Sequence, residues 1–188
     1  MKIIFIWIGV LFTVLVSCIA IYVWGWRTSA GGKYAEFILP DTQFPVERVV
    51  DGDTLVVLAG GHDVTIRLIG MDTPEVVDPR KPVQCFGPEA SAKAKEIFGY
   101  GPVTIEKDPQ KGDYEKYGRV LGYVHVPAAE NPDFPDGLFY NQYMIEQGFA
   151  REYTYFNEPY KYQAEFKVAQ KSAKKAKVGL WGACQQVT

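Results

Sequence analysis

Apolar and polar positions along the chain change their period several times, and each change marks an element. No charged residue interrupts Ile3 to Trp24. At about 1.5 Å per helical residue, that run is long enough to cross a hydrocarbon core of ~30 Å. Tyr22, Trp24 and Trp26 gather at its far end, as interfacial anchors do. Residues 25–43, with Gly25, Ser29, Gly31 and Gly32, carry no sustained period and read as a tether. Short apolar runs then succeed one another over 44–184. Val46, Val49 and Val50 suggest a first strand, Thr54 to Leu58 a second and Val64 to Ile69 a third, with turn residues Ala59 to Asp63, His62 among them, between the last two.

The period lengthens at Pro88, where Ala90, Ala94, Ile97 and Phe98 share one helical face. Proline fits the first turn, Glu89 suits the positive end of the dipole, and Gly99 provides a stop. Val103–Glu106 and Val120–Val126, which includes His125, read as two further strands. Asn141 is placed to cap a short helix running through Gln147 and closed by Gly148. A last helix spans about Pro159 to Lys177, with Tyr162, Phe166, Ala169, Ala173 and Ala176 inward; Lys161, Lys167, Lys171, Lys174, Lys175 and Lys177 make either a solvated face, the commoner outcome, or a phosphate-attracting patch. The order is α+β and mainly β. Five strands, one helix after the third and two more after the fifth, match a five-stranded OB-fold Greek-key barrel with three helices, preceded by one N-terminal transmembrane helix.

Composition adds limits. The chain has 188 residues, 47% of them hydrophobic, enough for one globular domain and the N-terminal run. Its formal charge of −2 excludes bulk basicity as a route to nucleic acid, so any cationic surface is local. The length of the N-terminal run points to a membrane anchor; Lys2 on one side and Arg27 and Lys33 on the other give no clean orientation, and the cysteine pair outside the run favours a domain outside the cytoplasm. The alternatives are a lipoprotein signal ending at Leu15-Val16-Ser17-Cys18 and a cleaved export signal. Outside that run the cysteines are Cys85 and Cys184. They make either a disulfide formed in an oxidising compartment or two separate buried thiols. His62 and His125 are the only histidines, and neither has a partner at metal-ligand spacing, so zinc hydrolysis and phospho-histidine chemistry fit poorly.

The candidate chemistry lies in three stretches: Asp51-Gly52-Asp53-Thr54, then Arg67 to Glu75, then Tyr117-Gly118-Arg119. They bring acidic oxygens for a hard metal ion, two arginines for a phosphate and a carboxylate placed to handle a water. A phosphodiester resists attack because it is anionic and gains charge at its oxygens in the transition state. Such an inventory suits its hydrolysis.

With Phe86 to Ser91, Asn141, Gly148-Phe149-Ala150 and Gly179-Leu180-Trp181, this ordered set resembles the staphylococcal nuclease family from about Val46 to Trp181. The resemblance implies a calcium-dependent nuclease that cuts DNA and RNA, preferably single-stranded, with low sequence specificity and leaves 3′-phosphates. It implies that Asp53, Asp72 and the Thr73 carbonyl hold Ca²⁺, with Asp51 orienting Asp53 or a bound water. Arg67 and Arg119 would bind the phosphate, and Glu75 would act on the attacking water. Lys116 and Tyr117 fall where the family touches a terminal phosphate, and Tyr153 and Tyr155 where it lines the nucleotide pocket. Family members with cysteines in the contexts of Cys85 and Cys184 look like disulfide-bonded exported forms. Glu115 stands where the family more often has aspartate, and the loop Pro127–Gly137 is longer than the family leads one to expect. A module of the same fold that binds nucleic acid or protein without cutting is the alternative reading. No obligate protein partner is expected.

Overall fold

The computed structural model describes residues 34–184 apart from Lys81 and Ala129. The expected membrane span over 3–24, the lipidation alternative at Cys18 and the first part of the tether fall outside the described residues. Among those described, no helix is long and apolar enough to cross a membrane.

The five expected strands form, joined by four two-residue strands. In chain order they are β1 (Gln43–Phe44), β2 (Val46–Asp51), β3 (Thr54–Ala59), β4 (His62–Leu68), β5 (Met71–Asp72), β6 (Val103–Glu106), β7 (Val120–Val126), β8 (Leu138–Phe139) and β9 (Arg151–Glu152). The sheet runs β1-β6-β7-β4-β3-β2, with β8 on β7, while β5 and β9 pair separately. All pairs are antiparallel except β4 with β7, where Arg67 lies level with Leu121. This mixed sheet with its helices fits an α+β OB-type fold. His62 opens β4 instead of sitting in the turn, because its ring packs on those of Tyr34 and Phe37, 4.9 and 5.7 Å between centroids.

The helices are α1 (Gly87–Phe98), α2 (Tyr140–Glu146), α3 (Gln163–Ala176) and the single turn α4 (Leu180–Ala183). Asn141 is not a cap. Phe139 precedes α2, and Asn141 lies inside it, fully buried, its Oδ1 accepting from the Val124 amide and its Nδ2 donating to the Ile69 carbonyl, each at 2.9 Å. The last helix begins at Gln163, later than Pro159, because the Lys161 amide donates to Asp108 Oδ2 and is drawn out of a helical turn. On α3, Phe166, Ala169 and Ala173 are buried as the spacing requires, but Ala176 is exposed.

The domain also begins earlier than the pattern suggests. Tyr34–Phe37 forms a 3₁₀ turn, and Ala35 and Ile38 are buried in the same core as Leu55, Ile66 and Val124. The apolar residues of this short segment, Tyr34, Ala35, Phe37, Ile38 and Leu39, run too briefly before Pro40 to show a period, and tertiary contact selects which of them are buried. The long loop after β7 is held down: buried Asn131 donates to the Ile97 carbonyl at the end of α1, and Phe134 meets Tyr143 edge-on.

Candidate active site

Two tight connections bring the acids to the arginines. The β2–β3 turn carries Asp51 to Thr54, and antiparallel β3–β4 pairing sets Thr54 directly opposite Arg67. Gly52 is needed there, since a Cβ on it would come within 2.6 Å of Thr73 Cγ2. The Gly52 carbonyl is fixed by the buried Tyr140 hydroxyl at 2.8 Å. Parallel pairing of β4 with β7 then puts Arg119, just before β7, beside the end of β4 that carries Arg67.

At the centre the Arg67 guanidinium bridges two carboxylates. Its Nη1 contacts Asp53 Oδ1, and its Nη2 donates to Asp72 Oδ1 at 3.0 Å. Asp53 is buried and also accepts from the Thr54 hydroxyl at 2.9 Å and the Thr73 amide at 3.0 Å. Asp51 accepts from the Asp53 amide at 3.1 Å; burial pushes its carboxyl above the usual range, against the opposing pull of Arg67. Arg119 joins through Thr54, whose hydroxyl it reaches at 3.5 Å. Glu115 steadies Arg119, accepting from its Nε at 3.0 Å and its amide at 3.2 Å. Aspartate at 115 would be one methylene shorter, so the departure from the family pattern keeps this clasp.

Glu75 sits differently. Its Oε1 accepts three successive amides, those of Val76, Val77 and Asp78, at 3.0, 2.8 and 3.0 Å. The Val77 amide is the largest influence, and together the three outweigh desolvation and hold the carboxyl below its ordinary value. Oε2 has no hydrogen bond among the described residues.

Lys116 and Arg119 both approach the face of Tyr117, Nζ at 4.8 Å and Cζ at 5.7 Å from its centroid, and Tyr117 is 73% exposed. Tyr153 and Tyr155 are also exposed, 6.3 Å apart, with Phe156 against Tyr155 at 4.4 Å. Cys85 and Cys184 are disulfide-bonded, with Cα atoms 6.0 Å apart. An open groove of about 540 Å³ between α2 and α3, lined in part by Glu146, Ala164 and Val168, contains none of these residues.

Sequence reasoning passed over four residues that the fold recruits. Thr54 links Asp53 to Arg119, and Tyr140 fixes Gly52. Gln84 bonds the Glu75 backbone. Arg151 is level with Asp72 across β5–β9, so its side chain shares that face, and its buried Nε has no hydrogen-bond partner among the described residues. No local pattern marks Gln84 or Arg151. The place of Thr54 inside the Asp-Gly-Asp-Thr motif was the one available signal.

The converging side-chain donors are oxygens. Among the described residues no group of three or more His, Cys, Asp or Glu side chains is placed to hold a metal ion. A cation here would depend on Asp53 and Asp72, supplemented by main chain and water. Because both carboxylates already reach one guanidinium, they are close enough to share one positive charge, and their chemistry fits a hard ion such as Ca²⁺.

Fold and site together define a class: small OB-type domains that gather carboxylates and arginines at the end of a parallel strand pair, suited to phosphoryl chemistry. Residues 65–183 match the family model described as staphylococcal nuclease homologue. A thermonuclease of Staphylococcus hyicus is 38% identical over 138 residues, 73% of this chain and 75% of that protein. Endonuclease YncB of Bacillus subtilis is 34% identical over 144 residues, which cover 63% of its length, and a thermonuclease of Staphylococcus intermedius is 38% identical over 136 residues. The chain belongs to the staphylococcal nuclease family.

Proposed function

We propose that this protein is a Ca²⁺-dependent nuclease that hydrolyses DNA and RNA, preferably single-stranded and with little sequence preference, to 3′-phosphate products. The observation that carries the reading is the Arg67 guanidinium held between Asp53 and Asp72, with Arg119 joined through Thr54 to the same Asp53. Asp53, Asp72 and the Thr73 carbonyl would hold the ion, with Asp51 orienting Asp53 or a bound water; Ca²⁺ there would supply positive charge to a phosphoryl oxygen.

The protein's own groups do the rest. Arg67 and Arg119 donate to the phosphate oxygens, where planar guanidinium forks meet the charge that grows in the transition state. Glu75 acts on the attacking water through Oε2; the amides on its Oε1 fix the carboxylate's direction and lower its pKa, which suits orienting the water. Lys116 and Tyr117 receive a terminal phosphate, and Tyr153 and Tyr155 stack on bases, which tolerates any sequence. The disulfide favours an oxidising compartment. We place the domain outside the cytoplasm, tethered to the membrane by residues 3–24; lipidation at Cys18 and release after signal cleavage are the other routes to that compartment.

The test is cleavage of labelled single-stranded DNA and RNA by the purified chain, with calcium and with excess chelator, beside Glu75→Gln. Calcium-dependent cutting that falls by orders of magnitude in the variant supports the enzyme and its site together. A folded protein that binds the oligonucleotide and never cuts it is a binding module instead.

A further inference from the structure

We infer that Gln84, backed by the Cys85–Cys184 disulfide, is a positioning residue for Glu75, and that the oxidation state of this disulfide sets how well Glu75 is held. The inference rests on the reading of Glu75 given above. Glu75 and Gln84 exchange two hydrogen bonds: the Glu75 amide donates to Gln84 Oε1 at 3.0 Å, and the Gln84 amide donates to the Glu75 carbonyl at 2.9 Å. They bring the two ends of segment 75–84 together, as at the neck of an Ω loop. Within it Glu75 Oε1 takes the three amides of Val76, Val77 and Asp78, and Asp78 pairs with Arg80. The three amides that hold Glu75 Oε1 belong to the same loop, so where Glu75 points depends on how its neck is fixed to the domain.

On one side the neck is fixed two residues away, where the Thr73 amide donates to Asp53. On the other it depends on residues 84–87. Gly87 lies so close under the loop that a Cβ there would come within 2.5 Å of Val76 Cγ1, and Phe86 takes a left-handed φ of 67° to stack on Phe149. Cys85, next to Gln84, is bonded to Cys184 across 99 residues. Cys184 closes the α4 turn, which is anchored by fully buried Leu180 and by the Leu180 amide on the Gly148 carbonyl at 2.9 Å. Through that bridge an exposed glutamine is referred to a buried part of the fold. An added dithiol reaches the exposed Cys85 readily; it takes the S–S bond into its own cyclic disulfide and leaves two protein thiols, after which Gln84 is held only by its neighbours.

The experiment uses the full-length chain, oxidised and after dithiol reduction with thiol alkylation, together with Gln84→Met and Gln84→Glu. Methionine keeps the length of the side chain but loses the acceptor oxygen; glutamate keeps an acceptor. For each form kcat and KM on a labelled single-stranded oligonucleotide are measured, with amide exchange at residues 76–78 and the thermal midpoint. The expected result is a fall of about two- to tenfold in kcat for Gln84→Met and for the reduced protein, KM nearly unchanged, faster exchange at 76–78, and substantial recovery in Gln84→Glu. Unchanged kcat in Gln84→Met, an equal loss in Gln84→Glu, unchanged exchange at 76–78, or a loss that vanishes well below each thermal midpoint overturns the inference. If Glu75→Gln cuts as fast as the natural protein, the role of Glu75 fails instead, whatever exchange shows.

Discussion

Replacing Asn141 by serine separates two accounts of that residue. If Asn141 capped α2, serine would serve nearly as well, since the two are about equal at that position. In the structure it is a buried strut: its amide pairs the Val124 N–H with the Ile69 carbonyl and joins α2 both to β7 and to the corner between β4 and β5. Serine is too short to reach both. Two buried backbone groups lose their partner, each costing about 1–3 kcal/mol, so the expected destabilisation is roughly 2–6 kcal/mol, toward the lower end if water enters the space. With a urea m-value of about 2 kcal/mol/M, the midpoint moves down by about 1–3 M. Equilibrium urea unfolding followed by tryptophan fluorescence measures it. A shift below about 0.3 M at unchanged m would refute the strut and restore the cap.

Arg67→Lys keeps the charge but cannot span both Asp53 and Asp72 or give a planar fork to phosphate. It should lower kcat/KM by about 10²- to 10³-fold, checked by steady-state cleavage, and a loss below about tenfold would contradict the assigned role. Tyr155→Ala should raise KM for single strands by roughly tenfold with kcat little changed, and an unchanged KM would remove it from the base-stacking surface. Burial works against the charge of Glu106, but hydrogen bonds from Lys161, Tyr162 and His125 outweigh it and lower its pKa on folding. Its stabilisation is therefore fully present above the ordinary glutamate value of 4.5 and is lost as pH falls through the lower folded value. Glu106→Gln should thus lower the thermal midpoint at pH 7 and converge with the natural protein in strong acid; a constant gap at all pH values would contradict the linkage.

The sequence by itself determined what depends on near neighbours. Val103–Glu106 and Val120–Val126 form strands with the expected bounds, and α1 starts within one residue of its proline signal, because alternation and helix-start chemistry are local properties. The residue types of the site were legible for the same reason: Asp-Gly-Asp-Thr makes a turn whatever surrounds it. Tertiary structure alone decided which groups meet. Nothing in the pattern says that β4 runs parallel to β7, that Asn141 bridges Val124 and Ile69, or that Ala35 and Ile38 close the core from outside the patterned region. Nor does it say that Thr54 would bind Asp53 to Arg119, or that Gln84 would clasp Glu75. Those contacts join side chains and backbone groups as far as 72 positions apart, or depend on one loop geometry among many. Local period records which face of an element is apolar; it carries no information about which buried backbone group a distant polar side chain will satisfy. Only burial in the folded core makes an unpaired group costly enough to select that partner.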